Sequence, residues 1–182
     1  MADILVVVSS ARPTRAASKV LESVQKNFEG RSDVDVTVAD LKEIGLPFFD
    51  SPVIPASDDF HPQNEAVLAW TKMVADADGV LFLTPEYNHS MNAIQKNAID
   101  WIYKEWTDKP VAIVGYGWSG GSQSIKTARQ VFDDSMIKTA VLPTPAMLRF
   151  TKEINIDGTP IDETAVQTAI GAAIDELIAA VK

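Results

Sequence analysis

The chain has 182 residues, of which 46% are hydrophobic and 23% are charged, a composition that is typical of a globular protein. It contains no cysteine, which excludes disulfides, thiolate nucleophiles, cysteine-ligated zinc and iron–sulfur clusters. Its two histidines exclude a zinc site with three histidine ligands. The net charge of −9 is opposite in sign to that of a typical nucleic-acid binder, so no nucleic-acid partner is expected.

The sequence also predicts no membrane partner and no secretory signal. No apolar run approaches the roughly 18 residues that a membrane span requires. The first residues, MADILVVVSS, carry an acid where a signal peptide has basic residues, and they lead directly into patterned sequence. We therefore expect a cytoplasmic protein whose first strand lies within these residues.

The first sixty residues predict a strand, a helix, a second strand and a long loop. Residues 4–8 are continuously apolar, which indicates a strand that is buried on both faces. Apolar residues recur at helical spacing from Ala17 to Phe28, and the strict alternation of residues 33–38 is typical of a half-buried edge strand. Residues 41–61 contain three prolines and are predicted to form a loop.

The middle of the chain continues the alternation of helix and strand. Pro62 is well suited to be the first residue of a second helix. Residues 79–83 are fully apolar and predict a strand, and residues 90–105 show the spacing of a helix. Residues 111–114 predict another buried strand, which leads into a glycine-rich stretch.

The last third of the chain predicts two helices and one short strand. The first helix includes residues 125–132, and the strand covers residues 139–142, where Pro143 ends it. Residues 143–161 are expected to be irregular. Apolar residues at helical spacing over residues 166–181 predict a long closing helix.

Five strands thus alternate with five helices, which predicts a parallel sheet with helices on both faces. The first, third and fourth strands are fully apolar and belong inside the sheet, whereas the second has the pattern of an edge strand. The order 2-1-3-4-5 meets these conditions, and it is the order of the doubly wound, flavodoxin-like α/β fold. Because the sequence shows no repeat and no linker, residues 1–182 are predicted to form a single domain.

In such a sheet a ligand binds at the carboxyl ends of the strands, next to the point where the strand order reverses. The turn at residues 9–18 carries hydroxyls together with Arg12 and Arg15 at the start of a helix. Arginines are unfavourable at a helix N-terminus unless an anion binds there, so this turn predicts a phosphate site. A capped helix with two solvated arginines is the alternative interpretation.

Two further turns, at residues 84–90 and 115–121, reach the same edge of the sheet. Tyr87 offers an aromatic face, and Asn88 offers both a hydrogen-bond donor and an acceptor. The glycines of the second turn allow backbone N–H groups to approach a ligand closely. Each turn alone could be purely structural. Together the three turns match FMN, which has a phosphate tail and a ring with a hydrogen-bonding edge.

Several motifs at these turns resemble the NADPH-dependent FMN reductase family, which includes flavin, quinone, azo-dye and chromate reductases. Residues 85–90 (PEYNHS) and 96–101 (KNAIDW) resemble its PEYN-[HG]-S…KNAIDW signature. Residues 10–15 are similar to its S-x-R-P-x-R phosphate loop, and residues 116–121 are similar to its glycine-rich flavin loop.

The resemblance implies an enzyme that binds FMN and uses NADPH or NADH as co-substrate. Hydride would pass from NAD(P)H through flavin N5 to a flavin, quinone, azo compound or similar small acceptor. No side chain is required as an acid or base for the first half of this reaction. Glu86 and His89 are close enough in sequence to the flavin loop to deliver a proton, but a structural role is favoured for each of them.

The resemblance also implies cofactor-binding residues in all three turns. The FMN phosphate would contact Ser10, Arg12, Arg15, Ala17 and Ser18. The isoalloxazine edge would contact Pro85, Glu86, Tyr87 and Asn88, and the pyrimidine end would contact Gly117, Trp118, Ser119 and Gly120. Either Arg12 or Arg15 could instead bind the 2′-phosphate of the nicotinamide nucleotide. A homodimer or a dimer of dimers is implied as well.

Three residues depart from the family pattern, and three aromatic residues allow two interpretations. Ser9 stands where glycine is usual, Asn92 where proline is common, and Gln95 where leucine is common. We expect Ser9 to narrow the backbone room near the phosphate. We expect Asn92 and Gln95, at the start of the helix next to the ring, to alter rim contacts or substrate preference without loss of FMN. The aromatic residues Trp101, Tyr103 and Trp106 indicate either core or a dimer face.

Two other classes of protein remain compatible with these motifs. One is an FMN-binding electron carrier that has no nicotinamide site. The other is a redox-sensing module without nicotinamide turnover. The fold alone does not choose between them and an enzyme, and the arginine pair together with the signature favours the enzyme.

Overall fold

The computed structural model describes residues 1–133, 137 and 139–181. In these ranges the α-helices are α1 (Ala17–Phe28), α2 (Leu41–Ile44), α3 (Glu65–Asp76), α4 (Ala93–Asp100), α5 (Ser122–Phe132) and α6 (Glu163–Ala180). The strands are β1 (Ala2–Val8), β2 (Val34–Asp40), β3 (Gly79–Pro85), β4 (Pro110–Gly117), β5 (Ala140–Val141) and β6 (Ala146–Arg149). A short 3₁₀ turn, Lys104–Trp106, precedes β4. None of the described helices is long and apolar enough to cross a membrane.

The strands form one parallel sheet in the order β2-β1-β3-β4-β5, which confirms the predicted doubly wound topology. The apolar strands β1 and β3 lie inside it, flanked on both sides by other strands. The predicted edge strand, β2, does lie at an edge, although Val36 and Val38 remain exposed there. The carboxyl ends of β1, β3 and β4 therefore meet at one rim of the sheet, as the ligand prediction requires.

A sixth strand corrects the prediction that residues 143–161 are irregular. β5 pairs with the beginning of β4, and β6 pairs in parallel with residues 114–117 at its end. Pro143 and Pro145 lie between the two short strands, and because proline has no N–H group to donate, the edge strand is interrupted there. β6 carries the chain to the rim, where the residues after Arg149 reach the cavity described below.

The helices cover both faces of the sheet, as predicted. α1 and α6 pack on one face, and α3, α4 and α5 pack on the other. The second face contains an aromatic cluster in which Trp106 lies 5.3 Å from Phe132 and 6.2 Å from Trp70 between ring centroids. Trp106 and Trp101 are buried, so of the two interpretations of these tryptophans the structure supports the core.

The predicted starts of α3 and α4 and the predicted end of α4 are wrong, and side-chain caps explain the two starts. α3 begins at Glu65 and not at Pro62, because the side chain of Asn64 accepts hydrogen bonds from the N–H groups of Ala66 and Val67. α4 begins after Asn92, which caps it, and it ends at Asp100, well before residue 105. The predicted loop 41–61 begins with the short helix α2, which Asp40 caps.

The side chain of Gln95 lies inside the fold with no hydrogen bond to its amide nitrogen or oxygen from any described residue. A buried amide without partners lowers stability by about 1–3 kcal/mol. We therefore expect Gln95→Leu to raise the free energy of unfolding by about 1 kcal/mol in urea denaturation. A lower value for the leucine variant would show that the amide has a partner, such as an ordered water.

Candidate functional site

A cavity of about 710 Å³ opens at the rim formed by the carboxyl ends of β1, β3 and β4. All three predicted turns contribute to its lining, so the structure brings together the segments that the sequence indicated. A fourth segment, after β6, completes the wall with Phe150, Ile156 and Asp157. A volume of this size is within the usual range for small-molecule and cofactor sites.

The turn between β1 and α1 forms the positively charged end of the cavity. Arg12 is exposed, lines the cavity and has no hydrogen bond or ion pair with another described residue. α1 has no side-chain cap and no acidic residue in its first turn, so its N–H groups and its dipole are not neutralised there. These features make the turn suitable for an anion.

Arg15 has a more constrained environment than Arg12. Its guanidinium forms a two-pronged ion pair with Asp40 at the end of β2, and it also donates to the backbone oxygen of Ser10. The side chains of Arg15 and Asp40 are only 14% and 21% exposed. The hydrogen bond to Asp40 raises the pKa of Arg15. Arg15 thus lines the cavity, but its charge is largely compensated by a carboxylate that the sequence did not indicate.

The turn after β3 is fixed by its own backbone. Tyr87 and Ser90 exchange hydrogen bonds of 3.0 and 3.1 Å, and the two residues between them, Asn88 and His89, have φ values of 47° and 61°. Two consecutive positive φ values are the geometry of a type I′ turn. The side chain of Tyr87 reaches the first turn, where its hydroxyl lies 3.1 Å from Ser10 Oγ.

The glycine-rich turn requires glycine at two positions, at Gly117 for its backbone conformation and at Gly121 for both its conformation and a close approach. A Cβ atom at Gly117, where φ is +147°, would lie 3.4 Å from Glu86 Cβ. A Cβ atom at Gly121, where φ is +78°, would lie 2.7 Å from the Cα atom of Gly115. The turn therefore packs directly on the end of β4 and on Glu86, and it leads into α5 at Ser122.

Glu86 connects the last two turns. Its Oε2 atom accepts hydrogen bonds from Ser119 Oγ and from the backbone N–H of Gln123, the latter at 2.9 Å. Its side chain is 10% exposed, and its Oε1 atom lies 3.7 Å from Nδ1 of the exposed His89. Glu86 also lines the cavity, between the turn after β3 and the glycine-rich turn.

The hydroxyl of Tyr116 is buried near Ser10 without a close hydrogen bond to a described residue. Tyr116 lines the cavity, is buried, and its hydroxyl oxygen has no hydrogen-bond partner among the described residues. Burial raises the pKa of this phenol well above its ordinary value, so the group stays neutral and keeps its proton to donate.

The residue predictions for the site divide into two groups. Nine predicted residues line the cavity, namely Ser10, Arg12, Arg15, Ser18, Pro85, Glu86, Tyr87, Gly117 and Trp118. Four lie beside it: Ala17 is buried at the start of α1, Asn88 is in the type I′ turn, Ser119 donates to Glu86, and Gly120 packs on Met147.

Phe150, Ile156 and Asp157 line the cavity although the sequence did not indicate them. Trp118, which is 70% exposed, packs edge-on against Phe150 at a centroid distance of 5.7 Å, and the two rings form one side of the mouth. Phe150, Ile156 and Asp157 reach the cavity because they follow β6, a strand that the sequence pattern did not reveal.

The three departures from the family pattern lie inside the protein, and none of them lines the cavity. Asn92 donates through its side-chain nitrogen to the backbone oxygen of Ser9 and accepts at its oxygen from the N–H of Gln95. Asn92 thus ties the start of α4 to the end of β1, a connection that proline could not make. Ser9, Asn92 and Gln95 are all buried.

Two signature residues, Asn97 and Trp101, stabilise the long loop and not the cavity. Asn97 donates to the backbone oxygen of Pro47 and accepts from the N–H of Phe49, and the indole N–H of Trp101 also donates to Pro47. The ring of Phe49 packs against Trp101 at 5.0 Å. The second half of the signature therefore positions residues of the predicted loop 41–61.

The groups that line the cavity fit FMN. One end offers Arg12 and the uncapped N-terminus of α1 for a phosphate. The other end is bordered by the backbone of Pro85 and Gly117 and by the aromatic pair of Trp118 and Phe150. Among the described residues no three of histidine, aspartate and glutamate are grouped as metal ligands.

Comparison with known proteins agrees with this assignment. The chain is 32% identical over 154 residues to an NAD(P)H-dependent FMN reductase of a Nectria species, which covers 82% of this chain and 76% of the relative. It is 33% identical over 155 residues to an NAD(P)H-dependent FMN reductase of Schizosaccharomyces pombe, with coverage of 85% and 76%. Both names confirm the resemblance that the motifs indicated.

Solved structures and a family match support the same conclusion. The flavoenzyme NAD(P)H:(acceptor) oxidoreductase FerB of Paracoccus denitrificans superimposes with a TM-score of 0.72 at 28% identity, over 98% of both chains. The azoreductase AzrA, at 17% identity and a TM-score of 0.61, shares the fold. Residues 2–151 match the family described as NADPH-dependent FMN reductase. The chain therefore belongs to the NADPH-dependent FMN reductase family.

Proposed function

We propose that this chain is an FMN-dependent oxidoreductase that takes electrons from NAD(P)H and passes them to a small organic acceptor. The observation that carries the proposal is the cavity at the carboxyl rim, which has an anion-binding end and a ring-binding end within one continuous space. When bound, FMN supplies the redox chemistry, since its ring accepts a hydride and returns two electrons. The protein binds and orients the reactants.

The phosphate of FMN is proposed to bind at the start of α1. Arg12 is the unpaired cation of the cavity-lining set, and the free N–H groups of the first helical turn add partial positive charge. Ser10 and Ser18 line the same end and offer hydroxyl groups. Arg15 contributes mainly by holding the turn, because Asp40 and the backbone oxygen of Ser10 already take three of its five N–H donors.

The ring of FMN is proposed to lie between the turn at residues 85–88 and the turn at residues 117–120. The second turn is fixed by the hydrogen bond from the N–H of Gly120 to the oxygen of Gly117 and by α5, which follows it. Its remaining backbone N–H groups would therefore stabilise negative charge on a ring edge without reorganising. Trp118 and Phe150 line the mouth, and their exposed faces suit a flat nicotinamide or a flat acceptor.

The direct test is an absorption spectrum of the purified protein, followed by addition of NADPH or NADH without oxygen. We expect protein-bound flavin absorbance that bleaches on addition of the nicotinamide and returns when a quinone is added. A protein that neither contains nor binds FMN would overturn the proposal. Bound FMN that neither nicotinamide reduces would instead assign the chain to the electron carriers or redox sensors.

We further propose that the protein is a homodimer or a dimer of dimers and that it acts in the cytoplasm. The exposed apolar side chains of Phe48, Ile54 and Leu68, on the long loop and the neighbouring α3, support a surface of this kind. Sedimentation of the native protein and of Phe48→Asp tests the dimer. We expect the variant to shift toward monomer, and a monomeric native protein would contradict the proposal.

A further inference from the structure

The proposed function gives no role to the carboxylate of Glu86. Among the residues that the structure describes, two acidic ones line the cavity, Glu86 and Asp157, and Glu86 is the less exposed of the two. One oxygen, Oε2, accepts from Ser119 Oγ and from the N–H of Gln123 in the first turn of α5. The backbone N–H of Glu86 itself donates to the oxygen of Tyr116 at 3.1 Å. Glu86 is thus attached to the end of β4, to the glycine-rich turn and to α5.

We propose that Glu86 is a positioning residue that fixes the glycine-rich turn over the flavin ring and whose negative charge lowers the reduction potential of the bound flavin. The proposal rests on the proposed function, since it assumes that FMN occupies the cavity. We call the contacts of Glu86 with Ser119 and Gln123 the carboxylate clasp.

The first step of the argument is mechanical. The glycine-rich turn contains residues with positive φ at Gly117, Gly120 and Gly121, so its own backbone preferences restrain it little. Its ends are held by β4 and by α5. The clasp holds its centre, at Ser119, through a charge-assisted hydrogen bond, which is stronger than a neutral one. The N–H of Gly120 also closes the turn by donating to the oxygen of Gly117, so the clasp adds to this restraint at Ser119, and its loss would leave the backbone there less firmly held.

The second step is electrostatic. The side chain is 10% exposed, so water screens its charge weakly, and its second oxygen lies 3.7 Å from Nδ1 of the exposed His89. Two-electron reduction makes the flavin ring more negative, and a neighbouring fixed negative charge disfavours that change. The oxidised flavin is therefore favoured relative to the reduced flavin, and the reduction potential falls.

Three variants separate the two effects in flavin-binding titrations of the flavin-free protein. Glu86→Ala removes the clasp and the charge, and we expect oxidised FMN to bind at least tenfold more weakly. Ser119→Ala removes one contact and keeps the charge, and we expect a smaller loss of FMN affinity with little change of potential. Glu86→Gln keeps an oxygen that both donors can reach but loses the charge.

For Glu86→Gln we expect oxidised FMN to bind nearly as tightly as in the native protein. Reduced FMN should gain about tenfold in affinity relative to oxidised FMN, which corresponds to a rise of about 30 mV in the two-electron potential. Glu65→Gln, on the outer surface of α3, serves as the control for removal of a carboxylate outside the cavity. It should leave both FMN affinity and potential at the native values.

Hydrogen exchange of the flavin-free proteins gives a readout that does not depend on FMN. The amides of residues 117–123 should exchange faster in Glu86→Ala and in Ser119→Ala than in the native protein and in Glu65→Gln. If the native protein fails to bind FMN but the variants show these differences in exchange, the proposed function is refuted while the structural role of the clasp is confirmed. Unchanged exchange in Glu86→Ala, or an unchanged potential in Glu86→Gln, would overturn the inference.

Discussion

Replacing Gly121 by alanine is expected to lower the free energy of unfolding by about 3 kcal/mol and to weaken FMN binding. Gly121 has a φ of +78°, which costs a residue with a Cβ atom about 1–2 kcal/mol. The added Cβ would also lie 2.7 Å from the Cα atom of Gly115 and 2.8 Å from the backbone nitrogen of Tyr116. These neighbours are backbone atoms of the central strand β4, so no flexible side chain can move aside.

The loss of stability should extend to the site because Gly121 is the N-cap residue directly before α5. The helix must move away from β4 to make room, and it carries the N–H of Gln123 that holds Glu86. The displaced helix would separate the glycine-rich turn from the turn after β3. FMN affinity should therefore fall together with stability. Titration of the flavin-free variant with FMN under native conditions measures the loss of affinity.

Gly30 provides a matched control for the stability measurement. It has the same φ of +78°, but a Cβ atom there would meet nothing within 4 Å. Gly30→Ala should thus cost only the conformational part, about 1 kcal/mol, and leave FMN binding unchanged. Equal losses in urea unfolding for the two variants would show that the close contact between Gly121 and β4 contributes nothing.

The parts of the fold that depend on local pattern could be predicted from the sequence. The continuous apolar run of β1 requires burial on both faces, and the alternation of β2 places it at an edge, so the strand order follows. β6 could not be predicted in this way. It has four residues between a proline and the exposed chain that follows, and only its pairing with residues 114–117 makes it a strand.

The same distinction between local pattern and tertiary contact applies to the candidate site. Its three turns are adjacent to strongly patterned strands, and the topology brings them together. The compensation of Arg15 by Asp40 joins residues that are 25 positions apart, and it requires β2 to end at the same rim as β1. The contribution of Phe150 to the cavity depends on β6 in turn. Such contacts arise from tertiary pairing, and no spacing in the sequence marks them.

Replacing Arg12 by alanine is expected to weaken FMN binding about 100-fold, because a charge-assisted contact with a phosphate contributes as much as about 3 kcal/mol. Arg12 is exposed and unpaired among the described residues, so its loss should change the free energy of unfolding by less than about 0.5 kcal/mol. Riboflavin, which has the ring and the ribityl chain but no phosphate, should bind the variant as it binds the native protein.

Arg15→Ala should behave differently, because Arg15 is held by Asp40 and is only 14% exposed. Its loss leaves the Asp40 carboxylate without its cation, and we expect a loss of about 2 kcal/mol in the free energy of unfolding. The phosphate turn also loses its contact at the backbone oxygen of Ser10, so FMN affinity should fall moderately. Asp40→Asn keeps an oxygen for Arg15 but frees its positive charge, and it should tighten FMN binding while leaving riboflavin binding unchanged.

The ratio of the riboflavin dissociation constant to the FMN dissociation constant distinguishes the role of Arg12 from that of Arg15 in binding the phosphate. It should collapse in Arg12→Ala, fall moderately in Arg15→Ala and rise in Asp40→Asn. Equal losses for both ligands in Arg12→Ala would mean that Arg12 does not contact the phosphate. A collapse of the ratio in Arg15→Ala with unchanged stability would mean that Arg15 leaves Asp40 when FMN binds and becomes the principal phosphate ligand.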